Sequence, residues 1–172
     1  MNTAQRERSE HWLDEEALRS LSIAYATAVD ACDGDMLAGL FVPSGEMVVP
    51  AYPDDLGRMI TRAGHEALRR LPDGLRRYER TFHLVANQSY TIDEDQATGD
   101  LLCIAHHVTG TRDGSAEDGR AGTDSVWFIR YRDEYFRTDA GWRFARRELR
   151  LQWVEERPVA LLGPAPNDRG QR

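Results

Sequence analysis

A single change of hydrophobic period governs what this chain can fold into. Before residue 80 the apolar residues recur at helical spacing; from Thr81 onward they alternate. Leu18, Leu21, Tyr25, Val29 and Cys32 form one stripe, which predicts an amphipathic helix opened by the acidic run Asp14-Glu15-Glu16. Asp35 is expected to cap a second short helix over Met36–Phe41, ahead of Pro43. Glu46–Pro50 reads as a short strand, 51–59 as a loop and 59–62 as a second short strand. His65–Leu71 reads as a helix closed by Pro72-Asp73-Gly74, with a further turn over Leu75–Arg80. Four alternating strands follow, at 81–92, 97–110, 122–137 and 142–154. The breaks between them are 93–96, 111–121 and 138–141, short enough to imply an antiparallel meander. Helices first and a long sheet afterwards is an α+β order. The expected architecture is N-terminal helices packed on a curved antiparallel sheet, with a pocket between the two layers. The domain is expected over 14–157, with a charged, aperiodic arm at 1–13 tacked down by Trp12 and Leu13, and a flexible tail at 158–172.

Composition removes several chemistries. All 22 basic residues are arginine, so no lysine can form a Schiff base, hold pyridoxal phosphate or serve a Walker-type phosphate loop. The net charge is −7 and the arginines are scattered, which argues against nucleic acid and anionic membranes as partners. No apolar run reaches the roughly 18 residues of a membrane span, and the N-terminus lacks a signal-peptide core, so the expected location is the cytoplasm. The two cysteines, Cys32 and Cys103, sit in apolar patterns and read as small buried hydrophobes.

Three of the five histidines fall on the hairpin formed by the first two strands of the meander. His83 shares its parity with Val85 and Asn87, so these three should face one side. It is either a satisfied core residue or a catalytic group in a pocket. His106 and His107 are adjacent on a strand and must point to opposite faces. His107 is in phase with Leu101, Cys103 and Ala105 and is expected inside, with His106 outside. A metal site built from His83 and His107 would lack a clear third ligand. Arg147 is in phase with Ala145, Leu149 and Leu151, and an arginine on an apolar face needs an anionic or hydrogen-bonded partner. Asp30, a substrate group, or the tyrosine–aspartate set Tyr131, Asp133 and Tyr135 could serve. His11 and His65 read as surface residues, and Trp127 and Trp142 as packing. The outer sheet face should carry Trp127 or Phe128 and support homodimer or homotrimer formation.

The order of elements, the segment from Tyr25 to Phe41, His83-Leu-Val-Ala-Asn87, Tyr131-Arg-Asp-Glu-Tyr135 and Gly141-Trp-Arg-Phe-Ala-Arg-Arg147 resemble the SnoaL-like domain of the nuclear transport factor 2-like superfamily. The resemblance implies a cone-shaped α+β barrel. Scytalone dehydratase and bile-acid 7α-dehydratase are the nearest likenesses, both cofactor-free. By that resemblance Tyr25, Asp30 and His83 take catalytic positions, His107 (or His106) is the further polar residue, and Arg147 (or Arg146) is the last-strand arginine.

The chemistry is consistent with those types. Histidine titrates near neutrality and suits removal of a proton beside a carbonyl. An aspartate can orient the imidazole, and a tyrosine can donate to a developing enolate. No such step requires a metal, redox cofactor or covalent nucleophile. The expectation is a cofactor-independent dehydratase, isomerase or cyclase. Its substrate would be a hydrophobic cyclic carbonyl compound, polyketide- or steroid-like. His83, Asp30 and Tyr25 would be catalytic, with His107, Arg147 and Asn87 contacting substrate. The resemblance equally admits a non-catalytic subunit, like the small subunit of ring-hydroxylating dioxygenases, or a small-molecule carrier. Asp30 is the awkward member, because it lies about 140° around an ideal helix from Tyr25.

Overall fold

The computed structural model describes residues 2–51, 55–110 and 120–161, with backbone alone at 55, 56 and 120. The break expected at 111–121 and the tail expected from 158 therefore lie largely outside the described residues.

Helix α1 spans Thr3–Asp30 and begins well before the expected start at Asp14. The cause is a capping box. Asn2 accepts from the Gln5 amide at 2.9 Å, while the Gln5 side chain accepts from the Asn2 amide at 3.0 Å. The ion pair Arg6–Glu10, at 2.8 Å, supports the same exposed turns. Residues 3–13 lack an apolar stripe and are exposed, and Trp12 and Leu13 do not tack the segment down. From Leu18 the stripe is buried as expected, with Ser22 added to it. Asp14 has a different task from the expected cap. It accepts from Arg137 at 2.6 and 2.7 Å and from Trp142 Nε1 at 3.0 Å, tying the helix to the sheet.

Helix α2 is Gly34–Gly39, capped by Asp33 rather than Asp35. Gly34 is required there, since a Cβ would collide with the backbone carbonyl of Arg69. Phe41 opens strand β1 (Phe41–Ala51), and β2 runs over Asp55–Ala63, so both early strands are longer than expected. Helix α3 (Gly64–Arg69) and a 3₁₀ turn over Leu71–Arg77 lead into the long strands. These are β3 (Arg80–Asp93), β4 (Gln96–Gly110), β5 (Arg120–Thr138) and β6 (Gly141–Leu161).

The six strands form one sheet in the order β2-β1-β6-β5-β4-β3. Strands β3 to β6 make the expected antiparallel meander. The whole sheet is mixed, because β1 pairs with β6 in parallel, Met47 opposite Arg147. It is not closed; β2 and β3 are its free edges. Helix α1 lies against the inner face and contacts β3 and β6. The core sits between them and includes Leu18, Tyr25, Val29, Met47, Leu101, Tyr131 and Phe144.

The outer face carries a row of apolar side chains. Leu84, Ile104, Phe128 and Trp153 stand opposite one another across β3, β4, β5 and β6. Phe128 and Trp153 stack with ring centroids 4.3 Å apart. Trp127, the alternative for this face, is buried on the inner side. No helix among the described residues is long and apolar enough to cross a membrane.

Candidate active site

Strand β3 is a sheet edge, so one side of its backbone has no neighbouring strand. The C-terminal end of α1 fills that place. Asp30 Oδ2 accepts from the His83 backbone amide at 3.0 Å, and Asp30 Oδ1 lies 2.7 Å from His83 Nδ1. One carboxylate thus grips both the main chain and the ring of one residue. Asp30 is off the apolar stripe of the helix, as the 140° argument requires, and it reaches His83 because the strand edge comes to it.

Burial works to raise the Asp30 pKa, but the hydrogen bonds and charge of His83, helped by the Thr81 hydroxyl, outweigh it and hold the carboxyl below its usual value. An ionised Asp30 can only accept, so Nδ1 of His83 carries the shared proton and Nε2 is left as the basic nitrogen.

His83 opens onto a cavity of about 180 Å³ between α1, the 3₁₀ turn and the inner sheet face. Its walls are mostly apolar: Val29, Met47, Val49, Leu71, Ile129 and Leu149. The polar lining is His83, His107, Tyr25, Tyr131 and Arg77. The strand parity of the two adjacent histidines is as expected. His107 is buried inside, and His106 is on the outer face, 2.7 Å from Asp124.

The His107 ring stands 5.6 Å from that of His83, edge to face, and packs between Tyr78 and Trp127. Its Nδ1 lies 3.3 Å from the Ser125 carbonyl, which can only accept, so Nε2 is again the bare nitrogen. Burial, reinforced by repulsion from His83, lowers the His107 pKa to about 4. Near neutral pH this ring is uncharged. The Tyr25 hydroxyl meets the Met47 sulfur at 3.3 Å, and burial pushes its pKa upward, so it remains a neutral donor.

Two residues expected to contact substrate stand away from the cavity. Arg147 does face inward, but it does not line the cavity. It pairs with Asp133, directly opposite on β5, through Nε at 2.9 Å and Nη2 at 2.7 Å. Its guanidinium lies 4.3 Å from the centroid of Tyr25 and 4.2 Å from that of Tyr131. The arginine is therefore neutralised and packed behind the two rings rather than presented to a ligand. Asn87 does not share the face of His83 either. The β3–β4 register shifts between Ala86 and Ser89, and Asn87 sits there with φ +46°, exposed. Asparagine tolerates that left-handed conformation, and the bulge breaks the parity on which the expectation rested.

Tyr131, Arg77 and Tyr78 are lining residues that sequence reasoning did not place in the pocket. Tyr131 was legible only as a partner for Arg147; its strand parity with Ile129 and Asp133 is the signal that could have found it. Among the described residues no group of three or more His, Cys, Asp or Glu could hold a metal ion. A larger hollow of about 620 Å³ borders Asp100, Arg132, Arg146, Glu148 and Arg150. Arg132 pairs there with Asp100 at 3.2 Å and Arg146 with Glu148 at 2.8 Å.

Comparison with known proteins identifies the fold. Among solved structures, a protein from Novosphingobium aromaticivorans provisionally named a scytalone dehydratase superposes with TM-score 0.69 at 20% identity, covering 94% of this chain and 99% of that one. A hexachlorocyclohexane dehydrochlorinase, LinA type 2, superposes with TM-score 0.70 at 16% identity over 91% of this chain and 97% of that one. An NTF2-like protein with a cystatin-like fold, also from N. aromaticivorans, gives TM-score 0.64 at 24% identity over 88% and 90%. These likenesses establish the NTF2-like fold. No curated protein sequence matches the chain. The SnoaL-like domain family matches residues 10–148, and the chain belongs to that family.

Proposed function

We propose that the chain is a cofactor-independent lyase or isomerase that removes a proton next to a carbonyl in a hydrophobic cyclic small molecule. The observation that carries the reading is the Asp30–His83 pair at 2.7 Å, with the histidine opening into an apolar cavity. In this reading Nε2 of His83 takes the α-proton, and Asp30 stabilises the imidazolium that forms. The electrons move onto the carbonyl oxygen, where the Tyr25 hydroxyl donates to the enolate. In a dehydration the leaving hydroxyl departs as water after the imidazolium returns its proton. His107, uncharged and with Nε2 free, accepts from a substrate hydroxyl and orients it. Two of the structural neighbours are named for eliminations, of water and of hydrogen chloride, which supports elimination as the reaction type. The open cavity supports an enzyme over a subunit whose interior is plugged by side chains.

The test is α-hydrogen exchange into 2-tetralone in deuterated water, followed by NMR. The protein is expected to accelerate exchange, and His83→Ala to abolish the acceleration while keeping its circular dichroism spectrum. Undiminished exchange by His83→Ala would remove the proposal.

We also propose that the outer apolar row pairs two copies of the chain. A two-fold axis along that row sets Glu155, beyond one side of Trp153, over Arg150 of the second copy, beyond the other side. Both side chains are about half exposed, and each has an ion pair in its own chain, Arg150 with Glu148 at 2.8 Å and Glu155 with Arg157 at 3.7 Å, that a cross-copy pair would share.

A further inference from the structure

One charged side chain of the cavity takes no part in the proposed proton transfer. Arg77, from the 3₁₀ turn, lines the same space as His83 and His107 and is itself exposed, so it stands where the cavity meets solvent. Its Nη2 donates to the Tyr78 hydroxyl at 3.0 Å, and its guanidinium carbon lies 4.9 Å from the centre of that ring. Tyr78 is buried and packs on His107 with ring centroids 4.9 Å apart, and His107 in turn meets His83 at 5.6 Å. The wall therefore runs from a permanent cation at the rim, through the Tyr78 and His107 rings, to the imidazole held by Asp30.

The charges around this space are one-sided. No aspartate or glutamate is among the described lining residues, and Asp30 reaches His83 without lining the cavity. Arg77 is near enough to act on His107: after burial and His83, its charge is the next influence that lowers the pKa of that ring. The chain as a whole carries −7, so an anion gains nothing from the overall field and needs a local cation. Size points the same way. A cavity of about 180 Å³ is close to the roughly 150 Å³ that takes up benzene, so the substituents of a larger ligand project past the rim. The planar guanidinium standing there matches the geometry of a carboxylate.

We propose that Arg77 binds a carboxylate borne by the ligand of this cavity, so that the substrate class is a cyclic acid with its ring inside and its carboxylate at the rim. This rests on the cavity being the ligand site of the proposed reaction, and it adds a charged end to that hydrophobic ring compound. Arg77 is then a specificity-determining residue. It selects the acid over neutral compounds of the same shape, and it fixes which end of the ligand enters toward His83 and His107. No bond forms or breaks at the arginine.

The probe is phenylacetate, with phenylacetamide as its neutral counterpart of the same shape and toluene as the ring without a polar group. Binding to the full chain is measured by calorimetry at about pH 8 for wild type, Arg77→Gln, Arg77→Lys and Arg70→Gln. Wild type is expected to prefer phenylacetate to phenylacetamide. Arg77→Gln should weaken phenylacetate about fivefold, the upper end for an exposed ion pair, and shift phenylacetamide and toluene by less than about twofold. Arg77→Lys should recover part of the loss, and about 0.5 M salt should shrink the difference between wild type and Arg77→Gln. Arg70, paired with Glu66 outside the cavity, supplies the control: Arg70→Gln makes the same change of net charge and should leave all three affinities alone. Equal phenylacetate affinity in wild type and Arg77→Gln would overturn the proposal, as would failure of wild type to bind phenylacetate. An equal loss for all three ligands would also overturn it, since the arginine would then only shape the rim. The two readings fail separately. No Arg77 effect, with α-hydrogen exchange abolished in His83→Ala, removes the carboxylate site alone. Normal exchange in His83→Ala, with the Arg77 effect intact, removes the catalytic reading and leaves the carboxylate site.

Discussion

Asp30 holds His83 at two points, the ring Nδ1 at 2.7 Å and the backbone amide at 3.0 Å. The double contact fixes both the tautomer of the imidazole and the position of the strand that carries it. Asp30→Asn keeps the shape but loses the charge that stabilises an imidazolium. Turnover is expected to fall by ~10²–10⁴, the range of a general acid–base contribution, with the affinity for a neutral apolar ligand unchanged. Steady-state kinetics beside toluene binding checks this.

His107 gives a stability signature with a definite sign. Its folded pKa of about 4 lies below the ordinary value of 6.5, so the unfolded chain binds the proton more readily. Stability from this residue is complete above pH 6.5 and is lost as pH falls toward 4, by on the order of 3 kcal/mol at most. Urea titrations from pH 7 to pH 4.5 should show a shallower decline for His107→Gln than for wild type.

Arg147 and Asp133 are both fully buried, and each is the other's neutralising charge. Arg147→Met leaves Asp133 uncompensated and is expected to cost about 3–5 kcal/mol in urea denaturation. Adding Asp133→Leu should recover part of that loss, because the double variant buries no lone charge. The Tyr135 hydroxyl, which donates to Asp133 at 2.7 Å, limits the recovery.

Asn87 provides the contrasting case. With φ +46° on an exposed bulge, Asn87→Gly should change stability by less than about 0.5 kcal/mol and leave ligand affinity alone. Asn87→Val should destabilise, since a β-branched residue resists the left-handed region. Calorimetry on the two variants, with ligand titration, separates a backbone role from a binding role.

Trp153 is 53% exposed in the middle of the outer apolar row. Trp153→Glu is expected to leave the fold intact and to shift the chain toward monomer in light-scattering measurements. Arg150→Glu should do the same, and Arg150→Glu with Glu155→Arg should restore association. A wild-type chain that is monomeric at high concentration would remove this interface.

Much of this was readable from local pattern. The helix stripe from Leu18 to Val29, the four meander strands and the opposite facing of His106 and His107 follow from periods of 3.6 and 2 alone. The capping box at Asn2 and Gln5 was also present in the sequence, but without an apolar stripe beside it residues 3–13 read as an arm. Other features had no local signal. A single extra residue at Asn87 reversed the face of everything after Ala86, and bulges leave little trace in composition. That β1 joins β6 in parallel depends on contacts between residues a hundred positions apart. The same is true of the partner of Arg147, which β5–β6 register selected from three candidates. By itself the sequence determined the fold class, the phase of each long strand and the absence of lysine chemistry, because those depend on residue types and their spacing. Only the tertiary structure decided that Asp30 meets His83 across an open strand edge, that Arg147 stands behind the cavity wall, and that Tyr131 joins that wall. Each of those depends on which backbone groups a neighbouring element leaves free, and that is settled only when the layers pack.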